Sequence, residues 1–136
     1  MKMKLPANVL FHHDLRLMTW RPRAVVNEKS VNAIIEFMAR EEAASDKPFN
    51  RFTDATLVKA VDLNFRYVFH VSLFRRLSYA GRPQVKSAIL VTDETLAHYS
   101  KIHKLLTEGS PLKVRIFDDR TETAKWLGVS NETLEY

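Results

Sequence analysis

Glycine occurs only three times in this 136-residue chain, at positions 81, 109 and 128, and each follows a run with helical character. A left-handed residue placed there closes a last helical turn, so the three glycines read as the ends of three helices. Reading back from them gives helices over 65–80, 94–107 and 122–127. Pro83 and Pro111 stand just past the first two stops, where they cannot continue a helix. So few glycines also exclude the glycine-rich loops that cradle phosphates.

A fourth helix is expected over 28–44. Asn27 can cap it, and Val31, Ile34, Ile35 and Met38 recur at helical spacing as one apolar stripe. Lys29, Asn32, Glu36 and Arg40 fill the wet side. Asp119 with Glu122 has the spacing of a capping box for the last helix.

Strand-length runs lie between the helices. VKSAILV at 85–91 is apolar enough for a buried strand, and LKVRIF at 112–117 alternates. FNRFT at 49–53 is a weaker strand, and 9–12 with 15–20 reads as a hairpin turning at His13 and Asp14. The order ββαβαβαβα predicts an α/β fold: a single mixed, mostly parallel five-stranded sheet with four helices. The length suits one domain over residues 1–136, with a core at about 8–129.

Composition narrows the function classes. There is no cysteine, which removes disulfides, thiolate nucleophiles and cysteine-bound zinc. A hydrophobic share of 46% with 27% charged residues excludes wholesale disorder. No stretch approaches the roughly 18 apolar residues of a membrane span, and the opening MKMKLPANVLF lacks a signal-peptide pattern. A cytoplasmic protein is expected. The net charge of +5 favours anionic partners, but the basic residues are scattered in pairs such as Arg75/Arg76 and Lys113/Arg115. Nucleic acid is therefore disfavoured as a partner.

Catalytic patterns are absent from the sequence. His12 and His13 point to opposite faces of a strand, His98 and His103 do not stack on a helix, and His70 has no partner at helical spacing. No metal site is expected. There is no nucleophile elbow, and Asp118/Asp119 read as helix caps. Asp54 and Asp62 flank the segment after the third expected strand without forming a motif. No catalytic residue and no cofactor are assigned, and the chain reads as a non-enzyme.

The helix over 65–80 is unusual. Phe65, Val68, Phe69, Leu73 and Ala80 cluster on one side, read here as the packed one, while Tyr67, Val71 and Phe74 lie opposite. A helix apolar all round is buried twice or meets something. The rim beyond the strands, 54–64, 92–95 and 118–121, is where open α/β sheets bind ligands, although Asn64, Asp93 and Asp119 also suit plain helix capping.

RRLSYAGRPQVKSAILV at 75–91 and EGSPLKVRIFDDRTETAKWLGV at 108–129 resemble the SpoIIAA-like family, bacterial proteins of a STAS-type fold related to anti-sigma factor antagonists. The similarity spans about 8–129 and is strongest in the second half. The resemblance implies a mixed sheet with helices, also similar to CRAL-TRIO lipid-binding domains. In the antagonists a segment like DLSGVxxMDSSG carries a phosphorylated serine. In the comparable segment here Asp54, Thr56, Val58 and Asp62 match by type, but Asn64 stands at the acceptor position and Phe65 at the following glycine. Asparagine cannot be phosphorylated, so the resemblance implies an interaction module without that switch. Thr56 is a poorer substitute acceptor.

Two functions are expected from this reading. One is a regulatory protein–protein interaction module, a homodimer with a further protein partner, using Asp54, Thr56, Asp62, Asn64, Tyr67, Val71 and Phe74 as contacts. The alternative is a binder of a lipid or other apolar small molecule through the same aromatic helix.

Overall fold

Strands and helices alternate in the computed structural model, which describes residues 5–45 and 47–135. The basic opening at residues 1–4, weighed above as a signal peptide, lies outside them. The order is β1 (Val9–His12), β2 (Leu17–Trp20), β3 (Ala24–Asn27), α1 (Glu28–Ser45), β4 (Asn50–Asp54), β5 (Val58–Asp62), α2 (Phe65–Ser78), β6 (Val85–Leu90), α3 (Glu94–Thr107), β7 (Leu112–Phe117) and α4 (Arg120–Leu127).

The main sheet has five strands in the order β1-β2-β4-β6-β7, with β1 antiparallel to β2 and every other pair parallel. This is the mixed five-stranded sheet with four helices that the alternation predicts. The expected order omits two strands, however: β3 and β5 pair in parallel as a small second sheet. Both are poorly marked because they are short and mostly exposed, so neither shows an apolar face. Their register shifts between Ala24 and Val25, and Ala24 holds φ at 63°. The hairpin also differs in detail. Residues His13–Leu15 make a 3-10 turn and Arg16 takes φ of 48°, so β2 starts at Leu17 instead of residue 15.

Alternation along the central strands divides the sheet into two faces. On one face Leu17, Phe52, Ala88, Leu90 and Phe117 pack against Ala124 and Leu127 of α4 and against Leu134. On the other, Met18, Trp20 and Phe49 meet Ile34, Phe37 and Met38 of α1. Farther along that second face, Val85, Leu112 and Val114 meet Tyr79. Helices α2 and α3 pack on each other. No helix among the described residues is long and apolar enough to cross a membrane.

The caps follow the sequence. Asn64 Oδ1 accepts from Tyr67 N at 2.9 Å, Asp93 Oδ1 from Leu96 N at 2.8 Å, and Asp119 Oδ1 from Thr121 N at 2.7 Å. Gly128 closes α4 at φ 74°, the left-handed conformation expected there.

Helix α2 is turned relative to the expected wheel. Phe65, Phe69 and Leu73, read as packed, are exposed, while Tyr67 and Val71 face inward. Val68 is buried as expected, and Phe74 is 58% exposed. The inward face includes Ser72 and Arg75, both buried. A wheel scored by hydropathy turns such residues to water, because their neutralising partners lie on other elements.

Candidate functional site

Strand β4 carries Arg51 between Asn50 and Phe52, and the pleat that sends Phe52 into the α4 core sends Arg51 to the opposite face. There Arg51 is 2% exposed, beneath α1 and α2. Its Nη2 donates to Glu42 Oε2 at 3.1 Å and to Tyr79 Oη at 2.8 Å, and Tyr79 Oη donates to Glu42 Oε1 at 2.6 Å. Glu42 Oε2 also accepts from Phe49 N at 3.1 Å. The guanidinium lies 5.4 Å from the Phe49 ring centroid and 5.3 Å from that of Tyr79, which fixes it between two aromatic faces.

A second buried guanidinium stands nearby. Arg75, 9% exposed, donates from Nη1 to His103 Nε2 at 3.0 Å. An arginine can only donate, so Nε2 must be the accepting nitrogen. The proton of a neutral imidazole then sits on Nδ1 and goes to Ser72 Oγ at 2.8 Å, while Ser72 donates its own proton to Val68 O at 2.7 Å. Burial, with Arg75 beside it, lowers the His103 pKa to about 3, so the ring is neutral. Burial, and then repulsion by Arg51, lowers that of Arg75 to about 10, which leaves it charged at neutral pH.

Ser72 and His103 have the spacing of a nucleophile and a base but not the polarity. Nδ1 already holds a proton, and the only lone pair of the ring is taken by Arg75. A base must have a free lone pair facing the hydroxyl it activates.

These groups edge a cavity of about 140 Å³ between the sheet and helices α1, α2 and α3. Met18, Val26, Ile34, Ile35, Val71 and Ile89 give it apolar walls, and Arg51, Arg75 and His103 line it as well. Helices α2 and α3 supply apolar lining from their earlier turns, such as Val68 and Leu96, and polar groups from their later ones, Arg75 and His103. Among the described residues that line the cavity, none is a carboxylate.

The residues singled out from the sequence separate into three groups. Tyr67 and Val71 line the cavity, and Tyr67 Oη donates to Asn32 Oδ1 at 2.6 Å, tying α2 to α1. Asp54 and Thr56 lie elsewhere: Asp54 is fully buried, its Oδ1 accepting from Thr56 N at 3.1 Å and Thr56 Oγ1 at 2.7 Å. Its Oδ2 takes Arg120 Nη1 at 2.9 Å and lies 3.6 Å from Arg21 Nε. Both arginines also donate to Leu134 O, so Asp54 anchors the C-terminal turn. Asp62 is exposed at the end of β5, Asn64 caps α2, and Phe74 projects outward.

Arg51, Arg75, Glu42 and His103 have no place among those sequence-derived site residues. A strand-interior arginine next to Phe52 and two residues after Phe49 is the one signal that pointed to them.

The sequence matches no family profile and no curated protein. The structure is similar to the crystal structure of an uncharacterised DUF3478-family protein with a SpoIIAA-like fold from Shewanella loihica PV-4. The TM-score is 0.53 at 12% identity, over 82% of this chain and 83% of that one. The chain has a SpoIIAA-like, STAS-type fold.

Proposed function

We propose that this protein is a non-enzymatic cytoplasmic binding module whose cavity under α1, α2 and α3 holds a small apolar molecule. The observation that carries this reading is the void of about 140 Å³ with apolar walls. A space of roughly 150 Å³ with apolar walls is large enough to admit a molecule of benzene's size. The protonation of His103 and the capping role of Asn64 support a role without catalysis and without a phosphoserine switch.

Benzene titrated into methyl-labelled protein tests the reading. Methyl signals of Ile34, Ile35, Val71 and Ile89 are expected to shift together, and Val71→Trp, which fills the space, to abolish the response. Unmoved methyl signals in the wild-type protein would overturn it.

A second reading has its own observation. Phe65, Phe69, Leu73, Phe74 and Leu77 are all exposed on α2, with Leu77 76% exposed. Helix α2 contains no acidic residue and carries Arg66 and Arg76. This combination suits a protein partner with an apolar surface and an acidic rim. A second copy of the chain would bring only neutral and basic α2 side chains together, so charge favours the heterologous partner.

A further inference from the structure

The cavity lining contains two buried guanidiniums, and their donors are not all used. Arg51 Nε and Nη1 and Arg75 Nη2 are buried and make no hydrogen bond of good geometry among the described residues, although Tyr79 lies close enough to Arg75 to favour its charge. The acceptors nearby are already engaged. Glu42 takes Arg51 Nη2, Tyr79 and Phe49 N, and the lone pair of His103 takes Arg75 Nη1. The buried cluster holds two positive groups against the single carboxylate of Glu42, an excess of one charge.

We infer that the cavity is built for a small apolar monocarboxylate, its carboxylate received by Arg51 and Arg75 and its body held among Ile34, Ile35, Val71 and Ile89. This rests on the reading that the cavity binds a small molecule, and names its class. One carboxylate matches the excess of one charge. Its planar pair of oxygens also matches the fork of guanidinium donors. A phosphate carries more charge than the excess. The volume limits the body to a ring or branched chain of about benzene's size.

Calorimetric titration of the full chain with benzoate, benzamide and benzene, followed in parallel by methyl NMR, tests the class. Benzoate is expected to bind at least about tenfold tighter than benzamide, its neutral counterpart. Arg75→Gln is expected to remove that advantage by weakening benzoate far more than benzamide. If benzoate gains nothing over benzamide while benzene shifts the cavity methyls, the anion inference fails and the apolar cavity stands. If chloride or inorganic phosphate shifts the arginine side-chain signals and benzoate does not, the site takes inorganic anions and the inference fails. If none of the three aromatic probes binds, both this inference and the reading beneath it fall. The comparison within the wild-type protein is decisive even if Arg75→Gln does not fold.

Discussion

Arg75 Nη1 and His103 Nε2 meet at 3.0 Å where α2 packs on α3, and this bond sets the tautomer of an imidazole that burial keeps neutral. It also makes His103 a source of pH dependence. Folded, its pKa is lowered to about 3, whereas an unfolded histidine titrates near 6.5. Between those values the unfolded chain binds the extra proton, so stability falls as pH drops. Each pH unit below the unfolded value costs about 1.4 kcal/mol, which gives a loss of about 2 kcal/mol by pH 5. Urea unfolding at pH 7 and pH 5 is expected to show this loss, and His103→Gln to flatten it.

Glu42 and Arg51 form a buried pair, fully shielded from water. Glu42→Gln leaves the guanidinium without its counter-charge and is expected to destabilise the fold by about 3–5 kcal/mol. The double change Glu42→Gln with Arg51→Met removes the stranded charge and is expected to recover much of that loss. A denaturant-unfolding cycle across the three variants measures it.

Asp54 holds the C-terminal turn through Arg120 and Arg21. Burial pushes its pKa up, but hydrogen bonds from Thr56 and Arg120 outweigh this and hold it below the usual 3.8. Its stabilising contribution is therefore present above that value and lost as pH falls below it. Asp54→Asn is expected to destabilise the fold by about 3 kcal/mol at neutral pH. Amide exchange at residues 131–134 is expected to accelerate, as hydrogen-exchange mass spectrometry would record.

Phe74 and Leu77 are exposed and touch no core, so Phe74→Asp and Leu77→Asp are expected to change stability by less than about 0.5 kcal/mol. If the α2 face seats a partner, both substitutions abolish association, read by sedimentation of the protein with its partner. A complex with the partner that survives both substitutions would take that face out of the interface.

The sequence was legible where one residue suffices to set the geometry. Asn64, Asp93 and Asp119 cap their helices as their types and positions require, and Gly128 adopts the left-handed conformation that closes α4. The main sheet follows from the apolar runs around Ala88 and Val114. Strands β3 and β5 were not legible, because residues such as Val25 and Lys59 face solvent and leave no alternation to read. The site was less legible still. Arg51 and Arg75 look like surface charges until Glu42, Tyr79 and His103 are brought against them from 9 to 28 positions away. Local patterning cannot anticipate such long-range partners, and it turned the packed face of α2 outward for the same reason.

In the proposed function, the space between α1, α2, α3 and the sheet is a binding cavity formed before any ligand enters. Diffraction from a crystal held under xenon tests it most directly, since xenon enters apolar voids of this size. A single strong xenon peak is expected among Ile34, Val71 and Ile89, with the surrounding side chains unmoved. Density showing those side chains collapsed into the space, with no xenon between them, would contradict it.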